Sequence, residues 1–224
     1  MIRAVVFDFD GVLANSEPLH FRAYRDILAT CGVALTESDY YAHYLGYDDV
    51  GAFRQIGVDR GAAWNAARVN ELVQRKAERL EELERDGSVL FPGADAAVRR
   101  LAAAWPLAIA SGARRAEIVR VLDRERLSTY FAAVVAAEDT PASKPAPDPY
   151  LRAVDELRRV VGPLDAAACV AVEDSRWGLE SARAAGLRTI AVTHTYSADQ
   201  LAGAADAAVP SLDRLTVAFL SRLA

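Results

Sequence analysis

Five short, mainly apolar runs limit how this chain can fold: AVVF (4–7), PLAIA (106–110), AAVVAA (132–137), ACVAV (168–172) and RTIAV (188–192). None alternates with polar residues, so each reads as a strand covered on both faces. Amphipathic stretches lie between them. Residues 94–104 put Ala97, Val98, Leu101 and Ala102 on one stripe, and 115–123 do so with Ile118, Val121 and Leu122. DPYLRAVDELRRVV (148–161) offers Asp148 as an N-cap and Pro149 at the first helical position, and 175–185 stops at Gly186. Strand–helix alternation of this kind predicts an α/β fold, a parallel sheet with helices on both faces.

One region breaks the rhythm. Residues 18 to about 86 hold no convincing buried strand. LHFRAYRDILATCG is a helix closed by Gly32, and a longer helix over roughly 62–85 carries Val69, Leu72, Val73, Leu80 and Leu83. Glu71–Arg75 and Glu81–Arg85 support it as i,i+4 pairs. A helical module is therefore expected after the first strand, with GSVLFPG (87–93) as the return linker.

Composition removes several classes of function. In a chain of 224 residues, 31 acidic against 26 basic side chains give a formal net charge of −5. With no Lys/Arg cluster, nucleic acid is not an expected partner. No apolar run is long enough to span a bilayer, and Asp8 and Asp10 interrupt any signal-like stretch at the start. Cys31 and Cys169 lie far apart in apolar contexts, which reads as core packing in a reducing cytosol rather than a disulfide or a zinc site.

The chemistry lies where the strands end. In open parallel sheets ligands bind beyond the carboxyl ends of the strands. The first run leads into Asp8 and Asp10, which share a side of an extended chain, and then Gly11, which permits a sharp turn. Two close carboxylates need a cation or a shared proton. Mg²⁺ suits oxygen ligands and keeps room for substrate phosphate. The second run ends in Ser111 and Gly112 before a helix, a place that suits an anion. The fourth ends in Glu173 and Asp174, and SKPAPDP (143–149) presents Lys144 ahead of three prolines. Each feature alone also describes a helix cap, a turn or a solvated lysine. Together they place two acid pairs, a hydroxyl and a lysine at one sheet edge, a set suited to phosphoryl chemistry.

At this point the sequence resembles the haloacid dehalogenase-like (HAD) superfamily. DFDGV (8–12), ASG (110–112), SKPAPDPY (143–150) and VEDSRWGLESARAAG (172–186) match its motifs in order, across nearly the whole chain. The nearest likeness is to the subgroup holding β-phosphoglucomutase and small-molecule phosphatases. The resemblance implies a Rossmann-like core over 1–16 and 88–224 with a helical cap over 17–87. It also implies cap hinges near 13–17 and 86–92 and a cis Lys144–Pro145 bond. Carried onto this chain, Asp8 is the nucleophile that forms an aspartyl-phosphate and Asp10 the general acid/base. Ser111, Gly112 and Lys144 hold phosphate oxygens. Mg²⁺ sits on the Asp8 carboxylate, the Asp10 carbonyl and Asp174, with Glu173 acting through water. Asp10 argues against dehalogenation, since dehalogenases of the family lack an Asp two residues after the nucleophile. Asn15 stands where relatives often carry Asp.

The expected partner is a small phosphomonoester, and nothing demands more than a monomer. A phosphatase gives the phosphoryl group to water and a mutase returns it to the sugar, so the cap decides between them. His20 and Lys76 sit in mutase-like contexts, where they would gate the acid/base chemistry and reach substrate; a hinge-side helix residue and a solvated lysine are the alternatives. The stretch LGYDDVGAF (45–53) departs from the mutase pattern, placing Asp48 and Asp49 where an Arg would grip a second phosphate. Unless Arg54, Arg75 or Lys76 substitutes, a bisphosphate is poorly served. Tyr44 and Tyr47 on the same segment are placed to touch substrate or to pack the cap, and packing is the favoured reading. A phosphatase is the favoured reading, a sugar phosphomutase the alternative, and a non-catalytic phospho-ligand binder a distant third.

Overall fold

A computed structural model describes residues 1–45, 47–85 and 87–223. Gly46 of the 45–53 stretch and Asp86 of the 86–92 hinge lie outside the described residues. The strands are β1 (Ala4–Phe7), β2 (Leu107–Ala110), β3 (Phe131–Val135), β4 (Cys169–Glu173), β5 (Arg188–Val192) and β6 (Ala207–Val209). All pair in parallel, in the order β3-β2-β1-β4-β5-β6. The helices are α1 (Glu17–Ala29), α2 (Glu37–His43), α3 (Asp49–Asp59), α4 (Ala66–Glu84), α5 (Ala94–Ala102), α6 (Arg115–Arg124), α7 (Asp148–Val161), α8 (Arg176–Ala184) and α9 (Val217–Ser221).

The chain divides into two compact units, Met1–Asn15 with Val89–Ala224, and Ser16–Ser88. In the first, β1, β2 and β4 are buried along their whole length, as apolar runs without alternation require. One face of these strands, with Ala4, Val6, Ala108 and Ala171, packs against Tyr150, Ala153, Val154 and Leu157 of α7. The crossing segments of this unit are tied to each other: Asn15 N–H donates to the Val89 carbonyl at 2.7 Å, and Phe91 N–H to Leu13 at 2.9 Å. The expected return linker is thus a paired segment.

Several local expectations need correction. Residues 132–137 were expected to be buried on both faces, but β3 is a sheet edge and only Val135 of it is buried. β6, the three residues AAV, is too short an apolar run to announce a strand. Asp148 does not cap α7; Pro147 is already in the helical region, so Asp148 is the first helical residue and makes no cap bond. Cys169 is buried, whereas Cys31 is half-buried and accepts a hydrogen bond from Arg68 at 3.2 Å.

The second unit is helical. Its core joins Tyr24, Ile27 and Leu28 of α1 to Tyr40 of α2, Phe53 and Ile56 of α3, and Val69 and Leu72 of α4. Asn65, Asp48 and Thr36 cap α4, α3 and α2 through their side chains. The Glu81–Arg85 pair forms at 3.1 Å and Glu71–Arg75 at 3.8 Å. Among the described residues no helix is long and apolar enough to cross a membrane.

Candidate active site

The parallel register builds the site. Phe7 lies opposite Val172, and Asp8 N–H continues the ladder to the Val172 carbonyl at 2.9 Å. The residue that leaves β1 therefore emerges beside the one that ends β4. Asp8, Glu173 and Asp174 are all buried, and one carboxylate oxygen from each lies within 4.8 Å of the others. The loop before α7 brings Lys144 to this cluster. Its ammonium donates to Asp8 Oδ1 at 2.8 Å and to Glu173 Oε1 at 2.6 Å. The Lys144–Pro145 bond is cis.

Glu173 is fully buried and fully used. Its Oε1 also accepts the Tyr150 hydroxyl at 2.7 Å, and its Oε2 accepts Asp174 N–H at 3.2 Å and Ser175 Oγ at 3.3 Å. Ser175, not Asp174, caps α8, accepting Gly178 N–H at 3.1 Å. That settles the competing reading of Asp174 as an N-cap and leaves its carboxylate for the site. Thr195, after β5, hydrogen-bonds to Asp174.

Two glycines allow this crowding. Gly11 has a φ of +78°, and a Cβ there would lie 2.0 Å from Asp174 Oδ2. Gly178 meets Glu173 in the same way. The turn after β1 closes through Gly11 N–H to the Ala14 carbonyl at 2.9 Å, with Asp10 half-buried within it. His194 Nδ1 lies 3.1 Å from the Gly11 carbonyl, and its ring stacks on Phe91. Ser111 is buried at the end of β2, where its Oγ accepts Ala113 N–H at 3.0 Å, while Gly112 is exposed.

The electrostatics are unbalanced. Three carboxylates face one ammonium. Burial and the charge of Glu173 push Asp8 well above the usual carboxylate range, against the pull of Lys144. The same two causes raise Asp174 to about 6. Lys144 is raised in turn: burial opposes its charge, but Asp8 and Glu173 outweigh it. A buried cluster that retains net negative charge and offers only oxygens fits a hard divalent cation.

His20 and Lys76 belong to the helical unit and meet each other there, Nζ to Nδ1 at 2.9 Å. Lys76 is 0% exposed, so the expectation of a solvated helix face fails. It forms an ion pair with Asp49 at 2.7 Å, which also accepts the Tyr24 hydroxyl at 2.6 Å. Asp48 is spent on capping α3. Tyr44 packs as expected, its hydroxyl on Asp59, but Tyr47 is exposed. Reasoning from sequence passed over Tyr150, Gly178, His194 and Thr195. Tyr150 closes the SKPAPDPY motif, and THTY (193–196) follows a strand end just as Asp8 does.

Comparison with known proteins places the chain in a family. The family model for haloacid dehalogenase-like hydrolases matches residues 2–186. Protein CbbY of Rhodobacter capsulatus is 33% identical, over 94% of each chain. Hexitol phosphatase B of Escherichia coli is also 33% identical, over 85% of this chain and 83% of that protein. The crystal structure of CbbY from Rhodobacter sphaeroides in complex with phosphate has a TM-score of 0.84 and 26% identity, covering 99% of this chain and 100% of that one. The chain belongs to the haloacid dehalogenase-like hydrolases, in their phosphatase and β-phosphoglucomutase-like branch.

Proposed function

We propose that this protein is a Mg²⁺-dependent phosphatase that hydrolyses a small sugar phosphate through a phosphoryl group held on Asp8. The observation that carries the reading is Lys144 spanning Asp8 and Glu173 inside a buried acid cluster. A lysine with ion-pair partners on both sides is fixed in place, and its ammonium sits against the Asp8 carboxyl at the end of β1. The likeness to a hexitol phosphatase and to a fructose-1-phosphate phosphatase, both from Escherichia coli, supports the sugar-phosphate class.

In the first half-reaction an Asp8 carboxylate oxygen attacks phosphorus and the P–O bond to the sugar breaks. Asp10 gives its proton to the departing alkoxide. In the second, Asp10 takes a proton from water, and the resulting oxygen attacks phosphorus, releasing inorganic phosphate and restoring Asp8. Ser111, Gly112 and Lys144 bind the non-bridging oxygens. Asp8, Asp174 and the Asp10 carbonyl would hold Mg²⁺, with Glu173 as support, and the ion supplies neutralisation of the phosphate and carboxylate charge.

A mutase reading needs a cation for a second phosphate. Lys76 does not supply it freely, because Asp49 and His20 already occupy its ammonium. The test is phosphorus NMR with Mg²⁺ and a panel of sugar phosphates. Release of inorganic phosphate that depends on Asp8 is the expected result. Migration of phosphate between positions of one sugar with little release would overturn it in favour of the mutase. Tight binding of a sugar phosphate without turnover would leave a binder.

A further inference from the structure

Trp177 is 58% exposed at the start of α8, three residues after Asp174. Trp177 borders a hollow of about 330 Å³ whose other walls are Arg176, Tyr196 and Gln200. The volume suits a small ligand. The chemistry of the walls is specific. Two aromatic rings offer flat apolar surface. Arg176 spends its Nε–H on the Gln200 carbonyl at 2.7 Å, which ties the 197–200 turn to α8 and leaves its terminal amino groups as donors. The Gln200 side chain accepts Ser197 N–H through its oxygen, so its amide N–H groups remain to donate. Aromatic faces beside fixed N–H donors match a ring or chain with apolar C–H faces and hydroxyl edges.

The residues of the hollow adjoin those of the site along the chain. Arg176 and Trp177 follow the cap residue Ser175, and Tyr196 follows Thr195, the residue hydrogen-bonded to Asp174. Burial and the charge of Asp174 together push the Tyr196 phenol upward. We propose that Arg176, Trp177, Tyr196 and Gln200 form a subsite for the uncharged, polyhydroxylated end of the substrate. The inference rests on the sugar-phosphate reading above and extends it to side chains of the sheet-bearing unit that the mechanism does not use.

The test compares kcat/KM for hexose, hexitol and pentose monophosphates with that for methyl phosphate, which has no sugar to bind. In Trp177→Ala the ratio of the best sugar phosphate to methyl phosphate should fall about tenfold, mainly through KM, and Trp177→Phe should restore most of it. A general loss of structure would instead lower kcat for both. An unchanged ratio in Trp177→Ala overturns the subsite and leaves the phosphatase reading standing. Hydrolysis of methyl phosphate with no preference for any sugar phosphate in the native enzyme overturns the sugar class and the subsite together.

Discussion

A methyl group on Gly178 would stand 2.0 Å from the carboxylate of Glu173. No real Cβ tolerates that distance, and Glu173 can withdraw only by breaking its bonds to Lys144, Tyr150 and Ser175. Gly178→Ala should therefore displace Glu173, and with it Lys144, while touching no reacting atom. A displacement near 1 Å costs on the order of a hundredfold in rate. The expected outcome is a kcat/KM lower by about that factor, with a folded protein by circular dichroism. Native kinetics in this variant would show that the Glu173–Lys144 geometry does not matter.

Asp8→Asn removes the attacking oxygen but keeps the shape. Phosphate release should fall by roughly four orders of magnitude or more. Tyr150→Phe is the milder companion. It deletes one buried hydrogen bond to Glu173 and should cost about 1–2 kcal/mol of stability with a smaller kinetic effect. Denaturant titration and a phosphate-release assay read both. Substantial turnover by Asp8→Asn would sink its role as nucleophile.

The strands of the site were legible because buried parallel strands have a simple signature, and the same rule placed Asp8, Ser111 and Glu173 at their ends. The signature failed where its physics does not apply. β3 is a sheet edge, and β6 is too short and alanine-rich to stand out from a loop. Asp174 and Ser175 compete for one helix cap, and only the hydrogen bond to Gly178 decides between them. Lys76 looked solvated because its neighbours along α4 are charged, yet its burial depends on Asp49 and His20, 27 and 56 residues away. Pairings between distant buried polar groups leave no periodic trace.

Asp174 gives the protein a pH signature that the cation should invert. Its carboxyl is raised to about 6 from an ordinary 3.8, first by burial and then by Glu173. A group raised in the folded state contributes stability below its unfolded value and loses it as pH rises through the folded one. In EDTA, the native protein should lose on the order of 2 kcal/mol relative to Asp174→Asn between about pH 4 and pH 7. Excess Mg²⁺ binds the ionised form, so with the ion present the native protein should gain on the variant over the same range. Thermal melts of both proteins, with and without Mg²⁺, measure this. Parallel curves would remove Asp174 from the metal site.

Lys76 offers a test confined to the helical unit. Its buried ammonium meets Asp49 at 2.7 Å, His20 at 2.9 Å and the ring of Tyr24 at 4.9 Å. Burial alone would raise Asp49, but Lys76, with help from Tyr24 and His20, holds it below the usual carboxylate range. A depressed carboxylate stabilises the fold above its unfolded pKa and stops doing so as pH falls through the folded value. Lys76→Met strands the carboxylate and should cost about 3 kcal/mol at neutral pH, less in acid where Asp49 is protonated. Adding Asp49→Leu removes the stranded charge and should recover most of that loss. Urea titrations of the native, single and double variants at neutral and acid pH complete the cycle. Additive losses at neutral pH would mean that the ion pair contributes nothing as a pair.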